Sequence, residues 1–163
     1  QLDTDDGIQV VTSGTGSAIV LLQHNVIDHP VDDTLAPADI EESELVGDNG
    51  IRLISNGVGT LNATILNNVI DSNDLLTFPA DSIGALHATV ESGTMHINVV
   101  GQNNGNGEAP TDPFFLENLG GTFNVTQISA GTLSSLNNNV DVVTDGVITF
   151  GAGNPPLPPP IMP

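Results

Sequence analysis

The sequence predicts an all-β fold in which short strands stack into a solenoid of about four to five coils. Three observations predict it. One long segment repeats without a gap, part of that segment returns twice more, and the repeats alternate apolar and polar residues with a period of two. Gly and Asn residues separate the alternating runs, as tight turns require.

The repeat begins near the N-terminus, where GIQVVTSGTGSAIVLLQHNVID (7–28) returns as GIRLISNGVGTLNATILNNVID (50–71). The part that starts at Gly59-Thr60 returns at Gly93-Thr94 and again at Gly121-Thr122, each time after another short apolar stretch. The spacing of the later copies is irregular. We therefore expect loop insertions in the polar stretches, which are 29–49, 72–84 and 102–113.

Alternation within the copies predicts strands with one apolar and one polar face. In the second copy Leu61, Ala63 and Ile65 share the apolar face. We expect the polar residues of successive copies to stack about 4.8 Å apart as an outer face, made of Thr60, Asn62, Thr64, Thr94, His96, Asn98, Thr122, Asn124 and Thr126. Such a face could bind ice, a sugar lattice or another copy of the chain. The simpler interpretation is that threonine suits exposed strand positions, and the irregular His96 and Asn98 favour it.

Two segments depart from the strand pattern. A short helix is predicted over Ala38–Val46, inside the longest insertion, with Asp39 as its cap and Gly47 after its end. The closing Asn154–Pro163 is rich in proline and favours extended polyproline II. We divide the chain into a solenoid domain, 1–153, and a stiff tail or linker, 154–163, for which docking to a partner is the alternative.

The charge of the chain excludes several functions. Its net charge is −19, and Arg52 is its only basic residue apart from histidine. Nucleic-acid binding needs Lys and Arg to neutralise phosphates and is excluded, and anionic membranes are disfavoured by the same repulsion. No apolar run approaches the ~20 residues that span a bilayer, so we expect no membrane insertion. The lack of cysteine excludes disulfides and thiolate metal sites.

Carboxylates without basic partners suit divalent cations, calcium above all. Asp3, Asp5 and Asp6 precede Gly7 as in the start of a calcium loop, but no Glu occupies the twelfth position. The pattern partly recurs at Asp48, so it also fits a turn that opens each coil. A denser acidic stretch supplies further candidates: Asp32, Asp33, Asp39, Glu41, Glu42 and Glu44. Ca²⁺ is the only cofactor we predict, and simple solubility is the alternative role of these carboxylates.

No catalytic set emerges from the sequence. Arg52 lies within a strand opposite Gln9, which is typical of an outward strand residue. Asp28 and Asp71 occupy equivalent repeat positions and could stack as a carboxylate pair, but the repeat also explains them as turn residues, which is the favoured interpretation. The histidines lack metal-binding spacing; they are His24, His29, His87 and His96. We therefore predict that the protein is not an enzyme.

The strand pattern of DNGIRL, GTLNATILNNVID and GTFNVT resembles the right-handed parallel β-helix proteins of bacterial cell surfaces. This group includes the pectate-lyase-like superfamily and repeat-rich adhesins and autotransporter passengers. The resemblance covers residues 5–150 and implies a right-handed parallel β-helix with a ladder of stacked asparagines, Asn25, Asn68 and Asn138. It also implies a location outside the cell or on its surface. Members range from polysaccharide lyases to non-catalytic adhesins, so the resemblance leaves the activity open.

The first copy of the repeat differs from the others on its outer face. Ile19 and Leu21 stand where later copies carry Asn and Thr, and a solenoid has open ends that invite pairing. We therefore expect an extracellular structural or adhesive module that pairs with itself, as a fibre or surface assembly, or with other surface components. A carbohydrate-active or carbohydrate-binding β-helix protein is the first alternative. An ice-binding protein is the second.

Overall fold

The computed structural model describes residues 7–28, 49–71, 84–104 and 113–159. These residues form an all-β structure of parallel strands with one short helix, which confirms the predicted fold class at that level. The elements in chain order are β1 (Ile8–Gly14), β2 (Ser17–Gln23), β3 (Val26–Asp28), β4 (Asn49–Gly57), β5 (Thr60–Leu66), β6 (Val69–Asp71), β7 (Gly84–Val90), β8 (Thr94–Val100), β9 (Asn103–Asn104), β10 (Phe114–Asn118), β11 (Thr122–Val125), α1 (Ala130–Ser135), β12 (Val142–Asp145) and β13 (Ile148–Phe150).

The strands belong to three open sheets. The first sheet has the order β1-β4-β7-β10-β12, the second β2-β5-β8-β11-β13 and the third β3-β6-β9. Each of the first three passes therefore gives one strand to each sheet, and the next pass pairs alongside it. In the fourth pass α1 follows the strands of the first two sheets, where earlier passes place a strand of the third sheet. All described pairings are parallel, as a chain that always advances in one direction requires.

The sequence repeat sets the register of the first two passes. Ile8 pairs with Ile51 in the first sheet, Ser17 with Thr60 in the second and Val26 with Val69 in the third. The later copies continue this register, with Thr60 beside Thr94 and Thr94 beside Thr122. The gap-free alignment of the repeat is therefore confirmed as a pairing of equivalent residues on adjacent strands.

The core is built from rows of apolar side chains, each row crossing one sheet. One row of the first sheet runs from Ile8 through Ile51, Leu86 and Phe114 to Val142. Its three middle members are at most 1% exposed. In the second sheet the middle members of the inner row that contains Leu61 are equally buried, as the alternation of the strands predicts.

Glycines line the turn between the first and second sheets, where successive passes touch backbone to backbone. A Cβ on Gly59 would lie 2.2 Å from the carbonyl oxygen of Gly16, and one on Gly93 would lie 2.3 Å from that of Gly57. A side chain at these positions would push the passes apart, so glycine is required by space. Gly57 and Gly93 also have positive φ, 120° and 77°.

The short helix α1 was not predicted. Ser129 caps it, because its Oγ accepts a hydrogen bond from the Thr132 N–H at 3.1 Å, and Leu133 anchors it in the core. Gly131 and several Ser and Thr residues have low helix propensity, so the sequence of this segment does not predict a helix. The helix predicted over Ala38–Val46 lies outside the described residues.

Candidate functional site

The third sheet and its neighbouring turns carry a continuous ladder of side-chain amides. Asn68 Oδ1 accepts hydrogen bonds from the backbone N–H and side-chain amide of Asn25, at 2.9 and 2.8 Å. Asn68 donates in turn to Gln102 Oε1 at 2.8 Å, and the Gln102 N–H donates to Asn137 Oδ1 at 3.0 Å. Every pass of the chain from the first to the fourth therefore contributes one amide.

The predicted ladder was right for Asn25 and Asn68 and wrong for Asn138. The fourth member is Asn137, which is fully buried, whereas Asn138 is exposed and has a positive φ of 62°. The third member, Gln102, was missed because it is not an asparagine. A local signal marks the first three positions: His24, Asn67 and Gly101, each with positive φ, immediately precede the ladder residues.

The polar outer face of the second sheet has the predicted register but is less exposed than predicted. Its middle row runs from Ile19 through Asn62 and His96 to Asn124, and Leu21 stands beside Thr64 in the next row. Asn62 is only 8% exposed and Thr64 only 3%. The polar atoms Thr64 Oγ1 and His96 Nε2 are buried and find no hydrogen-bond partner among the described residues. The expectation of an open, flat Thr/Asn surface is therefore wrong for the middle of this sheet.

The rest of this face is more accessible toward its ends. Thr122 and Ile19 are exposed, and Asn124 is half-buried. Thr126 lies just beyond β11, where its hydroxyl donates to the Gly153 carbonyl at 3.2 Å. Thr60 and Thr94 are half-buried, and Asn98 Oδ1 accepts a hydrogen bond from Gln127 at 2.9 Å. The side chains of Thr126 and Asn98 therefore already have hydrogen-bond partners within the chain.

A second polar cluster lies on the outer face of the first sheet. The His87 Nε2 lies 2.8 Å from Glu117 Oε2, which also accepts a hydrogen bond from the Thr89 hydroxyl at 3.1 Å. Arg52 pairs in register with His87, and Asp145 pairs with Glu117, so the only arginine shares this face with two carboxylates. The His87 ring also packs against Phe115, with ring centroids 5.9 Å apart.

The electrostatics of this cluster act on Glu117. The hydrogen bond from His87 lowers the pKa of the Glu117 carboxyl below its usual value, and the Thr89 hydroxyl and the charges of His87 and Arg52 act in the same direction. Partial burial opposes them without reversing the shift. The Glu117 carboxylate on β10 therefore links this strand to the neighbouring strand β7, which carries His87 and Thr89.

The partly buried apolar residues that pack against the core lie at the two ends of the sheets. Those packed against the core but only partly buried are Ile8, Val10, Ala18, Val20, Leu22, Ile27, Val142, Ile148 and Phe150, all in the first or the last strands. At the first end Val11 is 52% exposed and Ile19 40% exposed. This end therefore exposes part of the first residues of the inner rows, together with apolar residues of the outer face.

The first end also presents backbone groups. Just before β2 the Gly16 carbonyl accepts a hydrogen bond from the Thr60 N–H at 3.0 Å, and just after β2 the His24 N–H donates to Leu66 O at 3.1 Å. Hydrogen bonds alternate in direction along a parallel strand, so the N–H groups of Ile19 and Leu21 point away from β5. Strand β2 is the edge of its sheet, as β1 is of the first sheet, within the described residues. Their outward N–H and C=O groups can accept another strand.

The calcium candidates cannot be placed, because every one of them lies outside the described residues: Asp3, Asp5, Asp6, Asp32, Asp33, Glu41, Glu42 and Asp48, with Asp39 and Glu44. Within the ranges that the structure does describe, no three His, Cys, Asp or Glu side chains come together as a metal site would require. The only described helix, α1, has six residues, and no helix of the described chain could span a membrane.

Comparison with known proteins adds no further assignment to these features. No family model, no curated protein and no solved structure matches the chain.

Proposed function

We propose that the chain is a right-handed parallel β-helix that serves as a structural or adhesive module outside the cell and associates with itself through its first end. Support for the β-helix comes from the order of the sheets. Over the first three passes successive strands visit the three sheets in turn, and the last two passes continue the first two sheets. Within each sheet, strands of adjacent passes pair. Five passes through the first two sheets correspond to the four to five coils that the repeats predict.

The observation that carries self-association is the open edge of β1 and β2. Each is seven residues long, and neither carries proline or a charged side chain to block pairing. Natural proteins usually protect long edges of this kind with charge, proline or bulges. The exposed Ile19 adds apolar area on the face where later passes carry Asn and His.

The partner that fits this edge is the last pass of a second copy. The inner rows end at Val142, Ile148 and Phe150, which are half-exposed like the residues that begin the rows. A copy stacked head to tail would place these side chains on the continuation of the rows that start at Ile8, Ala18 and Val20. Parallel pairing would continue unchanged across the junction, so repeated stacking would build a fibre.

The competing functions find less support. Burial of Asn62 and Thr64 removes the middle of the flat face that ice or a sugar lattice would need. Glu117 and Asp145 are adjacent carboxylates, but Glu117 is engaged by His87 and Thr89 rather than held ready for a substrate. Neither arrangement accounts for the edge that β1 and β2 leave open among the residues that the structure describes.

A single substitution tests the edge without removing existing strand pairing. Ile19→Pro deletes an N–H that points away from β5, so the hydrogen bonds between β2 and β5 should survive while addition of a new strand is blocked. Ile19→Thr is the matched control, because it keeps the N–H and the branching at Cβ while a hydroxyl replaces part of the apolar side chain. Sedimentation velocity over a concentration series, in salt high enough to screen the negative charge, should show assembly for the native chain and for Ile19→Thr but not for Ile19→Pro.

Negative-stain electron microscopy of the same samples, with calcium and with a chelator, distinguishes fibres from closed pairs. Loss of the fibres on chelation would indicate that calcium bridges the acidic segments. A native chain that stays monomeric in every condition, or an Ile19→Pro variant that assembles like the native chain, would rule out association through this edge.

A further inference from the structure

The segment after β13 is an extended proline-rich run that is held against the domain. Two backbone hydrogen bonds fix its start, from Gly151 N–H to Gln127 O at 2.7 Å and from Ala152 N–H to Val125 O at 3.1 Å. In Asn154–Pro159 every residue except Pro156 precedes a proline, which disfavours the helical region and favours polyproline II. The segment takes part in no described strand or helix.

Burial along this segment has a period of three. Pro155 is buried and Pro158 is half-buried, whereas the residues between and beside them are exposed: Asn154, Pro156, Leu157 and Pro159. Polyproline II has three residues per turn, so Pro155 and Pro158 lie on one ridge, which faces the domain. The other two ridges face solvent. A linker that only spans a distance would be solvated on every side, and this segment is not.

The exposed ridges combine an apolar surface with backbone carbonyl groups. Leu157 is 61% exposed although it lies between prolines that restrict the backbone. Prolines have no N–H, so they contribute carbonyl acceptors and apolar rings to whatever contacts them. Because the segment is already extended and docked at Pro155, a partner that binds its outer ridges would order little additional chain.

We propose that the exposed ridges of Asn154–Pro159 bind a partner domain whose groove is lined with aromatic side chains and recognises uncharged polyproline II, a groove of the WW type. Such grooves exploit the preformed proline helix, with rings that pack between prolines and donors that reach the carbonyls. A groove with an added acidic pocket for a flanking Arg or Lys does not fit. Arg52, in β4, is the only such residue of the chain.

The proposal is tested on the whole chain by isothermal titration with a purified WW domain that binds uncharged Pro-Pro-Leu-Pro segments. Leu157→Ala and Pro156→Ala each alter an outward ridge, and each should weaken the Kd about tenfold or more. The matched control is Val147→Ala, which shortens a side chain that is 78% exposed in the turn between β12 and β13. It should leave the Kd unchanged.

Circular dichroism of each variant checks that the strands are intact. Absence of binding by the native chain at millimolar concentration would overturn the proposal, as would equal Kd values for the native chain and Leu157→Ala. Equally tight binding to an SH3 domain, whose groove includes an acidic pocket, would overturn the assigned class of groove.

Discussion

Asn68 shows how a single buried polar residue can join three passes of the chain. It is fully buried, yet its side chain accepts from Asn25 and donates to Gln102 Oε1 and to the Leu22 carbonyl at 3.2 Å. Buried amides are stabilising only when such partners are complete, because an unsatisfied group loses its hydration without replacement. The ladder therefore fixes the position of each pass relative to the next.

We expect Asn68→Ala to destabilise the fold by about 3 kcal/mol, because the half-buried amide of Asn25 and the buried amide of Gln102 would lose their partner. The comparison is Asn56→Ala, which removes an exposed asparagine at the end of β4. Urea denaturation followed by circular dichroism gives both free energies of unfolding. Equal values for the two variants would mean that the ladder does not contribute to stability.

Glu117 makes the stability sensitive to acid. Because the pKa of its carboxyl is lower in the folded than in the unfolded chain, the pair stabilises the fold above the unfolded pKa and loses this contribution as pH falls through the folded pKa. Glu117→Gln should therefore reduce the free energy of unfolding at neutral pH and have little effect at a pH below the folded pKa.

Chemical denaturation of the native chain and of Glu117→Gln across this pH range measures the change. Glu91→Gln, an exposed carboxylate in the turn after β7, is the control and should give a smaller, flatter difference. A Glu117→Gln difference that stays constant from neutral to acid pH would contradict the assigned role of the His87 contact.

At the scale of elements, the two equivalent turns of the repeat provide an internal comparison. Gly16 and Gly59 follow the first-sheet strand at the same repeat position, but only Gly59 has another pass packed over it. A Cβ at Gly16 meets nothing within 4 Å, whereas one at Gly59 would lie 2.2 Å from a carbonyl oxygen.

We expect Gly59→Ala to destabilise the fold by about 2 kcal/mol through steric overlap, and Gly16→Ala to be close to neutral. Thermal and urea unfolding of the two variants measure the difference. Equal destabilisation would show that the backbone conformation at these glycines, and not the close approach of the passes, requires the residue type.

The strands and their register were predictable because both depend on local patterns. The alternation over Thr60–Ile65 identifies a strand, and the repeat at 7–28 and 50–71 aligns it with its neighbour. Other features depend on contacts between passes that no local pattern encodes. Gln102 joins the ladder because its longer side chain reaches the same row, and Thr64 is buried although alternation places it on the polar face.

The candidate site was predictable in part for the same reason. Ile19 and Leu21 stand out in the sequence because they replace Asn and Thr of the later copies, and the register confirms that comparison. The cluster of His87 and Glu117 was missed because its members are 30 residues apart and belong to strands without detectable repeat identity. Helix α1 depends on the core contact of Leu133 more than on its own sequence.

At the scale of the whole molecule, the dominant electrostatic term is self-repulsion. A net charge of −19 with one arginine leaves most carboxylates without a basic partner, which opposes compaction. We expect the melting temperature to rise with sodium chloride as these charges are screened. A melting temperature that is unchanged or falls between low and high salt would contradict this.

Calcium chloride at matched ionic strength separates screening from binding. Magnesium chloride is the control, because calcium loops bind the larger ion more readily. A larger rise with calcium than with magnesium would support the calcium sites predicted at Asp3, Asp5, Asp6 and the acidic stretch. Equal rises would leave screening as the sufficient explanation and count against those sites.

The pairing of each strand only with strands of adjacent passes has a mechanical consequence. Under tension applied from the C-terminal end, β13 and β12 would peel from β11 and β10 before any earlier pass is loaded. Hydrogen bonds would break a few at a time, so the force at each step would stay low while the extension grows. Such a protein would unfold gradually at low force. A fold whose strands are all sheared at once would instead unfold abruptly at a higher force.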